Sequence, residues 1–135
     1  MIIYTKSEAI NLIIGIGTDI IEIDRIENAV KRTNGFINKL FTKKEIEIFE
    51  SKGFKSEVIA GNFAAKEAIS KAIGTGFRGF GVKDIEVLRD ELGKPIVNLS
   101  DKVYTVMQRK NVNIHLSISH SRNNAIAYAV MEVLE

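Results

Sequence analysis

The stretch from Ser56 to Ile73 does most to limit the folds open to this chain. It lacks proline, is rich in alanine and runs directly into Gly74-Thr75-Gly76. That pattern predicts one long helix with a glycine stop. Its small side chains leave room for something to approach the helix closely. Ahead of it, Leu12-Ile13-Ile14-Gly15-Ile16 reads as a buried strand. Gly15 and Gly17 mark either backbone crowding or a turn where that strand ends. Asp24 and Glu27 resemble a capping box opening a helix whose apolar side carries Ile26, Ala29 and Val30. Thr42 and Glu45 form a second box, with Ile46 and Phe49 at helical spacing and Gly53 as the stop. Val82 to Arg89 alternates as a strand, residues 90–93 turn, and Ile96 to Leu99 returns. Ser100 caps a helix carrying Val103 and Met107. Ile114 to Ser119 and Ala125 to Val133 read as two strands joined by a polar turn. Helices and strands mix without regular βα alternation, so the expected class is α+β, a mainly antiparallel sheet packed on helices.

At 135 residues, 45% of them apolar, the chain suits a single domain spanning 1–135, with residues 1–11 as an N-terminal extension of unknown role. The net charge of +2 implies no global pull on nucleic acid or membrane. Charge is nevertheless clustered: Arg25 to Lys44 holds six Lys/Arg and one acid, Glu27. The chain has no cysteine, which excludes disulfides, zinc–thiolate sites and a thiol nucleophile, and fits a cytoplasmic setting. No apolar run is long enough to span a membrane, and no signal-peptide pattern opens the chain.

Five segments could carry chemistry or recognition. Asp19 follows the glycine-flanked apolar strand; inside such a stretch a carboxylate must be hydrated, paired or bound to metal. The plainer reading is a turn aspartate capping a backbone group. On the long helix, Ala60, Phe63, Ala64, Glu67 and Lys71 share one side. Glu67 and Lys71 form there either an exposed i,i+4 pair or part of a site. Should Asp19 and Glu67 meet, a cation would relieve their repulsion, and with oxygen ligands alone the natural ion is Mg²⁺. Gly74, Thr75 and Gly76 offer either backbone N–H groups to a phosphate or an ordinary helix stop; no P-loop ending is present. In Ser117-Ile118-Ser119-His120-Ser121, His120 ends a strand, where it can bond phosphate, relay a proton or simply be satisfied by neighbours. No Gly-x-Ser-x-Gly elbow supports a serine hydrolase. The basic segment with Arg25, Arg32, Phe36 and Lys39 is either a solvated face or a dock for an acidic helical partner.

Taken together, GIGTDIIEIDRI (Gly15 to Ile26), FAAKEAISKAIGTG (Phe63 to Gly76), GKP (Gly93 to Pro95) and SISHS (Ser117 to Ser121) resemble the stand-alone bacterial holo-(acyl-carrier-protein) synthases, 4′-phosphopantetheinyl transferases. The resemblance runs from about residue 13 to the end, in the family's order and spacing. It implies transfer of 4′-phosphopantetheine from coenzyme A to a serine of apo acyl-carrier protein, leaving adenosine 3′,5′-bisphosphate, in support of fatty acid biosynthesis. It implies Asp19 and Glu67 as Mg²⁺ ligands. Lys66 and Lys71 would hold coenzyme A phosphates, and Gly74, Thr75, Gly76, Pro95, Ser119 and His120 would form the coenzyme site. Glu67 is the candidate base, directly or through a water, and Lys71 would stabilise the leaving phosphate. Arg25 and its helix would dock the acidic carrier. The family assembles as a homotrimer with active sites between subunits. Members often carry a basic residue just before the Phe-Ala segment. Here that position is Asn62, so one phosphate contact is lost or supplied by another side chain. Two other classes stay open: a non-catalytic coenzyme A or nucleotide sensor, and a nucleic-acid binder. The small net charge and lack of an aromatic stacking set speak against the latter.

Overall fold

A computed structural model of the chain describes residues 11–134. In chain order it contains β1 (Asn11–Glu22), α1 (Ile23–Arg32), α2 (Phe36–Leu40), α3 (Lys43–Ser51) and α4 (Ser56–Ile73). A single 3₁₀ turn, Val82–Asp84, follows. Then come β2 (Ile85–Arg89), β3 (Pro95–Leu99), α5 (Asp101–Met107), β4 (Val112–His120) and β5 (Asn124–Leu134). The fold is α+β, with every strand pairing antiparallel. One sheet has the order β1-β5-β4; β2 and β3 form a separate hairpin. Residues 1–10 of the expected N-terminal extension lie outside the described residues, and Asn11 already belongs to β1.

The long helix α4 lies against β1 and β5 and is the axis of the molecule. The contact is made at the backbone. A Cβ on Gly15 would stand 1.9 Å from Ala72 O, and one on Gly17 2.0 Å from Ala68 O. Any side chain at either position would push the strand off the helix. Ala64, Ala65, Ala68 and Ala72 are buried around that contact with Ile69, Ile85, Val87, Val103 and Met131. A second core gathers Ile26, Phe41, Phe49, Ile59 and Ala125 under α1–α3. There Phe41 and Phe49 pack edge to face, centroids 4.8 Å apart.

Several expectations need correction. The glycines do not end β1, which continues through Asp19 to Glu22; crowding against α4 is their role. Helix α1 starts at Ile23 with no side-chain cap, so Asp24 lies in its first turn instead of capping it. The basic segment is divided between two helices. It breaks at Thr33–Gly35, where Gly35 takes φ +78°, and α2 starts afresh at Phe36. The first residues of the expected 82–89 strand form the 3₁₀ turn. Ser100 sits at the N-cap of α5, but its hydroxyl bonds Asp84 Oδ1 at 2.8 Å instead of the helix backbone. The Thr42–Glu45 box is formed in both directions.

Candidate functional site

Strand alternation sends Gly15, Gly17, Asp19 and Ile21 toward α4 and Ile16, Thr18 and Ile20 away from it. Since the two glycines clamp β1 onto the helix, the next inward residue, Asp19, arrives beside the helix's last full turns. There Lys71 Nζ donates to Asp19 Oδ1 at 3.1 Å and to Thr18 O at 2.9 Å. Glu67 is one turn before Lys71. Burial raises its carboxyl above the ordinary glutamate range, the negative charge of Asp19 adds to the rise, and Lys71 opposes it. Asp19, Glu67 and Lys71 therefore form one electrostatic group, although the chain separates the first from the other two.

These residues fit a hard divalent cation. Among the described residues no cluster of three or more His, Cys, Asp or Glu makes a closed metal cage. Two oxygen ligands with space around them suit Mg²⁺, which keeps most of its waters or exchanges them for substrate phosphates. A cation would relieve the repulsion that raises Glu67.

The structure removes Lys66 from the expected coenzyme site. Its ammonium is fully buried and donates to Glu45 Oε1 (2.7 Å), Ile85 O (2.7 Å), Leu40 O (3.0 Å) and Val82 O (3.2 Å). It also stands 5.1 Å from the centre of the Phe41 ring. With this many acceptors around it and no exposure, it has no donor left for a phosphate. The Gly74-Thr75-Gly76 loop is turned back on its helix: Gly74 takes φ +95° and Gly76 φ +62°, and both N–H groups donate to Ser70 O. Thr75 Oγ1 bonds Gly76 O at 2.8 Å. Its two glycine donors form a helix stop, not a phosphate cradle.

A second polar region lies along the first half of α4. A cleft of about 340 Å³ runs between α4, the β2–β3 hairpin and β4; Lys52, Gly61, Arg89, Pro95 and His120 are among the residues lining it. Expected residues Pro95 and His120 thus share one cleft. Ser119 does not join them. It pairs with outward-facing Ile126, whereas His120 pairs with buried Ala125. Of the docking residues, Arg25, Arg32 and Lys39 are exposed, while Phe36 is half-buried with its ring 6.5 Å from that of Phe63.

Sequence reasoning missed two residues. Glu45 was read as a cap only, yet it also receives Lys66 and the Val87 N–H at 2.9 Å. Arg89 had no motif around it. It reaches back to Asn62 Oδ1 at 2.9 Å.

An α+β scaffold whose helix–strand contact is closed by glycines, ending on two carboxylates and a lysine, defines a class of site suited to a hard cation and phosphate oxygens. The chain belongs to the 4′-phosphopantetheinyl transferase superfamily, whose family model matches residues 15–129. It is 72% identical over 123 residues to a holo-[acyl-carrier-protein] synthase of Clostridium beijerinckii, covering 91% of this chain and all of that one. Among solved structures it resembles a holo-(acyl-carrier-protein) synthase from Bacillus anthracis in complex with CoA (3′,5′-ADP). The TM-score is 0.74 at 41% identity, covering 90% of this chain and 97% of that one. It also resembles the Helicobacter pylori holo-[acyl-carrier-protein] synthase in complex with coenzyme A. There the TM-score is 0.76 at 35% identity, covering 86% and 98%.

Proposed function

We propose that this chain works as a holo-(acyl-carrier-protein) synthase. It transfers 4′-phosphopantetheine from coenzyme A to the serine of apo acyl-carrier protein, in support of fatty acid biosynthesis. The observation that carries the chemistry is the convergence of Asp19, Glu67 and Lys71 on the open edge of the β1–α4 contact. The serine oxygen attacks the β-phosphate of coenzyme A, a new P–O bond forms, and the bond to the α-phosphate breaks to release adenosine 3′,5′-bisphosphate. Asp19 and Glu67 would hold Mg²⁺, which when bound supplies charge neutralisation for the diphosphate. Glu67 accepts the serine proton directly or through a water. Lys71 is half-exposed and bonded only to groups of β1, so it is able to swing to the leaving phosphate.

The outer face of the β1-β5-β4 sheet supports assembly. Ile13, Ile16 and Ile20 are 67%, 60% and 65% exposed, and Ile126 and Tyr128 continue the patch on β5. A contiguous apolar face of this kind needs a cover, and we assign it to a homotrimer of this chain with active sites between subunits. Ser119, on that outer face, serves a coenzyme bound to the adjoining subunit. Arg25, Arg32, Phe36 and Lys39 form the surface for the acidic carrier. We place the domain over 1–135.

The test is incubation of the protein with apo acyl-carrier protein, coenzyme A and Mg²⁺. Mass spectrometry should show the carrier gaining one phosphopantetheine, and no gain without Mg²⁺. An unmodified carrier under full conditions sinks the proposal.

A further inference from the structure

The cleft along the first half of α4 contains a cation whose charge the fold leaves unused. Arg89 ends β2, and its guanidinium donates to Leu88 O at 3.1 Å and to Asn62 Oδ1 at 2.9 Å. Neither acceptor is charged. Among the described residues no carboxylate lies within ion-pair distance of it. Burial pushes the guanidinium below the ordinary arginine value, and the charge of Glu45 only partly opposes this. A partly buried cation without a counter-charge is costly unless an anion arrives.

The arginine is also held in place. Asn62 is 1% exposed, and its Nδ2 donates to Val87 O at 3.0 Å. That bond fixes which end of the amide is oxygen, so Oδ1 must face Arg89. A guanidinium carries five N–H donors in a planar fork. Two of its nitrogens are occupied on the protein side, and the remaining donors are left for an occupant of the cleft. Lys52 and His120 line the same cleft, and Glu57 is the one acid there. A planar fork beside the Lys52 ammonium and an imidazole able to hydrogen-bond suits a phosphate, which accepts in two places at once.

The position selects which phosphate. Resting on the coenzyme A reading above, the diphosphate belongs with Asp19, Glu67 and Lys71. Gly61, on the cleft wall, precedes Glu67 by six residues, or about 9 Å along the helix at about 1.5 Å per residue. Coenzyme A carries one other phosphate, the 3′-monoester, across a ribose from the diphosphate. We propose that Arg89 is a specificity-determining residue that grips this phosphate monoester, with Asn62 as its positioning residue.

The experiment compares coenzyme A with 3′-dephospho-coenzyme A as donors at fixed carrier and Mg²⁺. The unaltered protein should prefer coenzyme A by about 10- to 100-fold in kcat/KM, the range of a lost charged hydrogen bond. Arg89→Met should erase most of that preference by lowering kcat/KM for coenzyme A alone, leaving the dephospho donor untouched. Arg89→Lys, which keeps the charge and loses the fork, should fall between. Asn62→Ala should raise KM for coenzyme A with little change in kcat. An intact preference in folded Arg89→Met or Arg89→Lys overturns the assignment, as does equal loss with both donors, which would move Arg89 to the reacting centre. Calorimetric binding of adenosine 3′,5′-bisphosphate against adenosine 5′-monophosphate reads the same site without transfer. A preference for the bisphosphate that vanishes in Arg89→Met upholds the site even were the carrier to stay unmodified, which separates failure of this inference from failure of the transferase reading.

Discussion

Lys66 and Lys71 stand five residues apart on one helix and each meets a carboxylate, yet the two pairs are opposites. Lys66 and Glu45 are both 0% exposed, whereas Lys71 and Asp19 are 53% and 19% exposed. The sealed pair also has its remaining valences met: Glu45 accepts from the Thr42 and Val87 N–H groups, and Lys66 donates to three carbonyls. It ties α3, α4 and β2 into one body and can exchange partners with nothing. The open pair is bonded on one side only. Its members are free to trade each other for a cation and a phosphate. The same residue types thus serve architecture or chemistry according to whether water and substrate can reach them.

The largest expected effect tests the open side of that contrast. Asp19→Ala and Glu67→Ala should each cut Mg²⁺-dependent transfer by on the order of a thousandfold, the several kcal/mol a divalent cation contributes to phosphoryl transfer. Thermal stability should change little, because each substitution relieves the repulsion between the two carboxylates but also removes an attraction to Lys71. Near-normal transfer in either variant, measured by carrier mass, would end the assignment of this pair as ligands.

Lys66→Met tests the sealed side and should do the reverse. Removing one partner of a buried ion pair costs about 3–5 kcal/mol. Denaturant unfolding should show that loss, while protein that remains folded, saturated with coenzyme A, keeps its kcat. A Lys66→Met variant with unchanged stability and lost affinity for coenzyme A would restore the coenzyme role that the structure takes from Lys66.

A smaller effect is the pH response of Glu67. Its carboxyl is raised above the ordinary value of 4.5 when no cation is present. The folded protein without cation thus favours the protonated form, a contribution complete below that value and lost as pH rises through the raised one. Mg²⁺ favours the ionised form. Stabilisation by Mg²⁺, read as a shift in melting temperature, should therefore grow as pH climbs from the acid side through the raised Glu67 value. The increase should disappear in Glu67→Gln. An Mg²⁺ shift that is flat with pH would separate the cation from this carboxyl.

The sequence made some of this contrast legible and hid the rest for a definite reason. Helix α4, its glycine stop and the Thr42–Glu45 box follow from rules acting within a few residues, and all three are formed. Asp19 and Glu67 were legible as a possible pair because the glycines before Asp19 and the alanines around Glu67 both advertise close approach. Lys66 was not, since adjacent helical residues point about 100° apart and its partner Glu45 comes from another helix. The Asn62–Arg89 bond was hidden in the same way: it joins mid-helix to strand end, and although Asn62 stood out beside the Phe-Ala segment, no local pattern marked Arg89 as its partner. Trp-free and cysteine-free, the chain offered no landmark residue to flag these long-range contacts.

The fully open charges of α1 and α2 extend the comparison to its weak end. Arg25, Arg32 and Lys39 are exposed, in contrast to Lys66 and to the half-exposed Lys71. Exposed charges are screened over about 8–10 Å at physiological salt, and pairs among them contribute about 0–1 kcal/mol. They therefore act on encounter with the carrier more than on the bound state. Arg25→Glu should raise the carrier KM several-fold, on the order of 1 kcal/mol for the reversed contact, without altering kcat or stability. The increase should shrink as salt is added from low ionic strength, because screening removes what the substitution removes. A carrier KM that stays constant in Arg25→Glu at low salt would show that the acidic partner approaches by another face.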